Sequence, residues 1–182
     1  DHRRRPPIHP PRGRGLGMLL ISMLIFIAAS SMIWGWKLAA GVAACILIHE
    51  LGHVAVIRAR GLPATAPMFI PFLGAVIGMK GMPRSVKDEA EIGIAGPIAG
   101  TAGALVCLAL ANVYGGYLWP YLAFIGLLLN LFNLIPVSPL DGGRIAAAIS
   151  RWLWPVGLAG LVGLFLFGLL EGRANPFLLF IA

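Results

Sequence analysis

Two histidines and a glutamate interrupt an otherwise apolar stretch, residues 46–55, in the spacing H-E-x-x-H. His49 and His53 lie four residues apart, so on a helix they project from one face, about one turn apart, and can bind the same ion. Glu50 lies about 100° around the helix from His49, where it can act on a water held by that ion. Imidazole nitrogens suit zinc, and a catalytic zinc site keeps one position open for water. The spacing therefore predicts a catalytic zinc site.

The composition is that of a membrane protein. The chain is 59% hydrophobic and only 12% charged, which places it outside ordinary soluble domains. Its 182 residues allow about five or six membrane spans of about 20 apolar residues each. The formal charge of +7 could suggest a nucleic-acid partner. The basic residues fall at loop positions between apolar runs and form no separate basic domain, so we expect no nucleic-acid partner. Cys45 and Cys107 each stand alone in an apolar run and are predicted to be small buried residues.

The apolar runs predict an all-α polytopic membrane protein with about five to six transmembrane helices. Complete spans are predicted at residues 16–36, 38–57, 92–113, 117–137 and 156–170, with the start of a further helix at 176–182. A short interfacial helix is expected from Ile145 to Trp154. Residues 1–15 are rich in Pro and Arg and are predicted to form a disordered basic cytoplasmic tail, with residues 16–182 as a single membrane core.

The segment between the second and third spans differs in kind. Residues 66–80 are apolar but broken by Pro and Gly, and they are too interrupted for a spanning helix. This pattern favours a small membrane-associated β-hairpin or sheet, with an apolar interfacial loop as the alternative. The small residues of 93–103 predict that the third span presses closely against a neighbouring helix.

The basic residues predict an orientation. With the amino terminus in the cytoplasm, alternation of the spans leaves only Lys37 and Arg173 outside. The basic residues after the second span that then fall inside are Arg58, Arg60, Lys80, Arg84, Lys87, Arg144 and Arg151. We therefore expect a multi-pass protein, in a prokaryotic cell membrane by default, with its site toward the cytoplasmic side.

Four ionisable residues remain inside the predicted bilayer: His49, Glu50, His53 and, near the end of the fourth span, Asp141. Each carries a penalty of roughly 2.5–3.5 kcal/mol on insertion scales. A lone buried histidine is usually a satisfied core residue and a lone Asp is usually a helix cap, but four such groups in one bundle need a common reason. A divalent ion supplies one. His53 and Asp141 precede Arg58 and Arg144 by a few residues, so both lie at similar depth, and we predict a metal site of His49, His53 and Asp141.

Two motifs together resemble those of the site-2 protease family of intramembrane zinc metalloproteases. The first is His49-Glu50-Leu51-Gly52-His53, and the second is Asn133-Leu134-Ile135-Pro136-Val137-Ser138-Pro139-Leu140-Asp141-Gly142. They stand in the family's order on the second and fourth spans, with a Gly96-Pro97 element between them. The resemblance covers most of the chain from the second span to Arg144, in a minimal form without PDZ or CBS domains.

The resemblance implies a role for each matched residue. His49, His53 and Asp141 would bind one zinc ion, Glu50 would act as general base, and Asn133 would steady the substrate or oxyanion. The substrate would be a transmembrane peptide or membrane protein. Because a transmembrane helix hides its carbonyls in hydrogen bonds, it must be unwound locally, and an edge strand of the 69–79 region is expected to hold it by strand addition.

Two functions other than proteolysis are also compatible with ligands inside membrane spans. Ligands within membrane spans also mark ion pathways, so a transmembrane metal-ion transporter is the main alternative. The other is a proteolytically inactive membrane-binding homologue. The histidine count argues against a membrane hydroxylase or desaturase, because two of the four histidines, His2 and His9, lie in the tail and the remaining two cannot build a multi-histidine di-iron site.

Overall fold

The computed structural model describes residues 12–79, 81–150 and 153–170. They form six helices and one two-stranded sheet. In chain order these are α1 (Arg12–Trp34), α2 (Trp36–Ala59), β1 (Met68–Ile70), β2 (Gly74–Val76), α3 (Val86–Tyr114), α4 (Leu118–Asn133), α5 (Asp141–Ile149) and α6 (Leu153–Leu170). Among the described residues, Gly15–Trp34 of α1, all of α2 and all of α3 are long and apolar enough to cross a membrane.

Helix α3 lies at the centre of the helical packing and contacts α2, α4 and α5. Its glycines and alanines allow these contacts, because small side chains let helix backbones approach closely in lipid. A Cβ built on Gly52 of α2 would overlap the Ala95 carbonyl oxygen of α3. The backbones of the two helices therefore approach each other directly at Gly52, where no side chain separates them. The close approach predicted for residues 93–103 is confirmed.

Ion pairs join the end of α2 to the start of α3. Arg60 donates to Asp88 at 2.7 Å and also pairs with Glu91. The Ser85 hydroxyl caps α3 by accepting from the Asp88 backbone N–H at 3.1 Å, which satisfies one of the donors left open in a first helical turn. These contacts fix the position of the first turns of α3 relative to α2.

The segment after α2 forms the predicted hairpin, which is confirmed. Strands β1 and β2 pair antiparallel, with Phe69 opposite Ala75. Pro71 and Phe72 occupy the turn, and Gly74 follows it with a φ of 110°, a left-handed value that favours glycine. Phe69 packs edge-to-face on Phe26 of α1 at 5.5 Å between ring centroids, so the hairpin is held against α1 through β1.

The fourth helix is shorter than expected. The span predicted at 117–137 ends as a helix at Asn133, because Pro136 disfavours helical geometry at the residue before it. Sixteen residues rise only about 24 Å, less than the roughly 30 Å hydrocarbon core. Residues 134–140 follow as a series of turns, in which the N–H groups of Leu134, Ile135, Val137 and Leu140 are bonded to nearby carbonyls.

Three further boundaries differ from the predictions. Helix α5 begins at Asp141 and ends at Ile149, so it starts four residues before the short helix expected at 145–154, because an acidic residue suits a first helical turn. Helix α1 includes residues 12–15 of the predicted tail, beginning directly after Pro11. Pro155 lies in the first turn of α6, where no backbone N–H is needed, and does not interrupt a helix. Residues 1–11 of the tail and the helix expected at 176–182 lie outside the described residues.

Candidate metal centre

Three side chains from two distant parts of the chain converge on one point. The Nε2 atoms of His49 and His53, on α2, lie 3.1 Å apart. Oδ2 of Asp141, at the start of α5, lies 3.0 Å from the first and 3.1 Å from the second. In the part of the chain that the structure describes, these three residues form the one group of His, Cys, Asp and Glu spaced to hold a metal ion.

The donor set and its spacing fit zinc. Zinc–nitrogen and zinc–oxygen bonds of about 2.0–2.2 Å at tetrahedral angles separate ligand atoms by about 3.3 Å, and the three distances agree to within a few tenths of an ångström. Three buried electron-rich atoms this close repel one another unless a cation or proton lies between them. Both histidines are 6% exposed, so the repulsion would be weakly screened. The site therefore matches a zinc site with three protein ligands.

Each histidine is oriented by a hydrogen bond from its other ring nitrogen, Nδ1. His49 Nδ1–H donates to Oδ1 of Asn130 at 2.8 Å, and His53 Nδ1–H donates to the backbone carbonyl of Ile92 at 2.7 Å. With Nδ1 protonated, the lone pair of each Nε2 is free for a metal, which is the tautomer that metal-bound histidines adopt. The Asn130 amide in turn donates from Nδ2 to Oγ1 of Thr101 at 3.4 Å.

Gly96 of α3 forms the wall behind the two imidazoles. A Cβ built on Gly96 would overlap His53 Nε2 and Cε1 and lie 2.6 Å from His49 Nε2. Real Cβ atoms do not approach other atoms this closely. Any side chain at position 96 would therefore occupy the space around the ligand atoms, and the centre requires glycine here.

Two other glycines deliver Asp141. A Cβ on Gly142 would overlap the carbonyls of Leu134 and Ile135, and one on Gly143 would approach the Val137 backbone at 2.5 Å. The absence of both side chains lets the start of α5 lie directly on the 134–138 turns. The opposite face of this first turn, which carries Asp141, then points toward α2.

Glu50 and Asn133 lie where two cavities meet at the metal group. Each cavity has a volume of about 270 Å³. The apolar cavity lies toward Phe26, Val42 and Ile125, and the polar cavity contains the three ligand residues. Glu50 lines both cavities and does not belong to the group whose ligand atoms converge.

The free edge of the hairpin borders both cavities. Phe69 N–H donates to the Ser22 hydroxyl of α1 at 3.1 Å, so it points away from β2. The Phe69–Ala75 pair is therefore a non-hydrogen-bonded pair, in which the backbone groups of both residues face outward. Ala75 lines both cavities, and its N–H and C=O are directed away from β1. Edge β2, not β1, is thus open beside the metal group.

The structure brings together every residue singled out in the sequence and adds three groups that were missed. His49, His53 and Asp141 converge, with Glu50 and Asn133 on the adjoining cavity walls. Asn130, Gly96 and the Ile92 carbonyl were not predicted as parts of the site. Asn130 carried a signal, because it is a polar residue one turn before Asn133 in an apolar helix. Gly96 belongs to the Gly96-Pro97 element noted in the sequence, but its role as a wall of the site depends on the approach of α3. The Ile92 carbonyl left no mark in local sequence.

The chain is similar in sequence to a known family of peptidases. The model of peptidase family M50 matches residues 37–119 and 115–155, more than half of the chain. The zinc metalloprotease MJ0392 of Methanocaldococcus jannaschii is 37% identical over 109 residues, which are 57% of this chain and 31% of that protein. The stage IV sporulation protein FB of Bacillus subtilis is 32% identical over 102 residues, 55% of this chain and 35% of that protein. The chain thus spans about a third of these curated relatives.

A solved structure shares the fold as well. The site-2 protease from Methanocaldococcus jannaschii superposes with a TM-score of 0.59 at 29% identity, covering 88% of this chain and 82% of that one. The predicted fold class, helical and membrane-embedded with a small sheet after the second helix, is confirmed, and so is the resemblance based on the two motifs. The chain belongs to peptidase family M50, the family of the site-2 protease.

Proposed function

We propose that this chain is an intramembrane zinc metallopeptidase that hydrolyses peptide bonds within or near transmembrane segments of membrane proteins, as in regulated intramembrane proteolysis. The observation that carries the proposal is the position of Glu50. Glu50 lines both cavities, one of which contains all three ligand residues, and it stands on a helix apolar enough to span a membrane. A structural zinc site needs neither a neighbouring free carboxylate nor an open space.

The roles of the residues follow from this placement. His49, His53 and Asp141 would hold zinc, which when bound makes a water acidic and polarises a carbonyl. Glu50 would accept the proton of the attacking water and return it to the leaving amine. Asn133, at the end of α4, would donate its amide hydrogen to the developing oxyanion.

The hairpin supplies a place for an unwound substrate. A peptide must leave its helical conformation before its carbonyl can be attacked. The outward N–H and C=O of Ala75 would bond an extended segment by strand addition, which would lay the scissile bond across the cavity junction beside Glu50 and Asn133. The apolar cavity would hold an apolar side chain of that segment.

The proposed setting in the membrane follows the predicted orientation. The amino terminus lies in the cytoplasm, α2 carries the histidines toward the cytoplasmic side, and water enters through the polar cavity. Exposed Arg58 and the ion-paired Arg60 at the end of α2 support this assignment, because basic residues favour cytoplasmic ends of spans. A prokaryotic cell membrane is the proposed location, and residues 16–182 act as one core.

The deciding experiment is incubation of the purified full chain with model transmembrane peptides, with and without a zinc chelator. We expect cleavage that the chelator stops and added zinc restores. Glu50→Gln should retain zinc and lower kcat by about 10²–10⁴, the usual contribution of a positioned general base. Asp141→Asn should instead lower the zinc content.

Two results would contradict the proposal. Equal loss of zinc in Glu50→Gln and Asp141→Asn would make Glu50 a ligand and leave the reaction without its base. Zinc flux into liposomes by a chain that cleaves no peptide would favour the transporter.

A further inference from the structure

One cation on the cavity wall has no role in the reaction proposed above. Arg144, on α5, lines the polar cavity together with Glu50 and Asp141, and it is half-buried. In the described part of the chain, no hydrogen bond and no ion pair within 4 Å joins its guanidinium to another residue. Arg60, in contrast, pairs with two acids.

The helical backbone sets the side of α5 from which the Arg144 side chain leaves. Residues three apart on a helix share a face, so Arg144 and Asp141 both project from the side of α5 opposite the closely packed Gly142–Gly143 pair. A Cβ built on Gly93 of α3 would lie 3.3 Å from the Arg144 Cβ, so α3 lies directly beside the start of this side chain. The side chain therefore leaves α5 between α3 and the polar cavity, which it lines.

Glu50 is near enough to attract Arg144 electrostatically, but among the described residues neither Glu50 nor Asp141 forms a hydrogen bond or ion pair with it. Oδ2 of Asp141 lies against the two histidines instead, and Glu50 belongs with the reacting water. A half-buried guanidinium that lacks a hydrogen-bonded partner is unfavourable. Its five donors in a planar fork match a carboxylate in bidentate geometry.

We propose that Arg144 is the binding site for a carboxylate of the substrate, located close to the scissile bond; this rests on the proposed peptidase function. A round cavity of about 270 Å³ is about 8 Å across, which corresponds to two or three extended residues at about 3.3 Å each. The carboxylate has two possible sources with the same chemistry. It belongs either to an acidic side chain within three residues of the scissile bond or to the new carboxy terminus released by cleavage.

The first arm of the test scans the acidic side chain. Cleavage is measured for transmembrane peptides carrying one Glu, or a matched Gln, at each of the three positions on either side of the scissile bond. We expect kcat/KM to favour Glu over Gln by about 10- to 100-fold at one position, the range of hydrogen bonds to charged groups. Arg144→Gln should abolish this preference, and Arg144→Glu should reverse it in favour of Gln, because two carboxylates would repel each other.

The second arm tests the product. A cleaved peptide with a free carboxy terminus is compared, as an inhibitor, with the same peptide ending in a carboxamide. If the site binds the new carboxy terminus, the acid inhibits more strongly than the amide, and Arg144→Gln reduces the ratio of the two inhibition constants.

The matched control is Arg58→Gln. Arg58 is exposed near the end of α2, so this variant removes one positive charge at the same side of the membrane without touching the cavity. It should change neither ratio. Zinc content is measured for every variant, which separates loss of carboxylate binding from loss of the metal site.

A binding measurement separates this inference from the proposed function. Affinities of the Glu and Gln peptides for the zinc-loaded Glu50→Gln protein should show the same Arg144-dependent preference without turnover. A wild-type chain that cleaves peptides with no Glu preference and no acid-selective inhibition overturns the carboxylate site alone. An Arg144-dependent binding preference in a zinc-loaded chain that cleaves nothing overturns the peptidase function and leaves the carboxylate site standing.

Discussion

The two walls of the candidate centre are built differently. On the helical wall, the imidazole N–H groups of both histidines are bonded, one to Asn130 and one to the Ile92 carbonyl. Gly96 leaves just enough space for the rings. On the hairpin wall, the backbone of Ala75 faces outward and borders both cavities. One wall is closed and fully bonded, and the other is open with unused donors and acceptors.

The difference separates metal binding from substrate binding. Ligands must be held within a few tenths of an ångström to select and retain an ion, which requires packing and hydrogen bonds behind them. A surface that accepts many peptide segments needs backbone groups and space, because strand addition does not depend on the side chains of the substrate. Variants of the helical wall should therefore affect zinc first, and variants of the hairpin wall should affect substrate first.

The largest effect is expected at Gly96. Gly96→Ala places a methyl group against the Nε2 atoms of both histidines. The rings must then move away from the positions in which they can bind one ion, so zinc binding and activity should be lost together. Zinc content after dialysis and peptide cleavage are the measurements. Gly17→Ala on α1 is the control, because a Cβ there would meet nothing within 4 Å and Gly17 lines neither cavity. Full zinc content in Gly96→Ala would show that the helical wall is not as closed as described.

The next largest effect distinguishes the roles of two asparagines, Asn133 and Asn130, which lie one turn apart on α4. Asn133 lines both cavities, so Asn133→Ala should lower kcat by about 10²–10³, as removal of an oxyanion donor does. The zinc dissociation constant should not change. If zinc affinity falls in parallel with kcat, Asn133 belongs to the metal wall and its assignment as an oxyanion donor is wrong.

Asn130→Ala should show the opposite pattern. The variant removes the acceptor that holds His49 Nδ1–H, and loss of such a partner lowers metal affinity by about 10- to 100-fold. Competition with a chelator of known affinity measures the zinc dissociation constant. With zinc in large excess, kcat should recover to near the wild-type value, whereas Asn133→Ala should not respond to added zinc.

The sequence predicted the parts of the site that depend on local periodicity. His49 and His53 share a helix face because they are four residues apart, and the hairpin follows from apolar residues interrupted by Pro and Gly. The predicted spans misplaced the end of α4 at Asn133 and the start of α5 at Asp141, although Pro136 and the acidic Asp141 are local signals for these two boundaries. Asn130 and Gly96 acquire their roles only when α3 and α4 pack against α2, so helix-by-helix reading could not assign them.

The smallest effect is expected on the hairpin wall. Ala75→Pro removes an N–H that β1 does not use, so the hairpin should persist, as proline is tolerated on the outer side of edge strands. The substrate loses one backbone hydrogen bond, worth about 0.5–1.5 kcal/mol, and meets the proline ring. KM should therefore rise about tenfold while zinc content stays at the wild-type level. Ala75→Ser keeps the N–H at nearly the same volume and should leave KM unchanged. A proline variant with wild-type KM would mean that substrate does not add to β2, and the open wall would need another occupant.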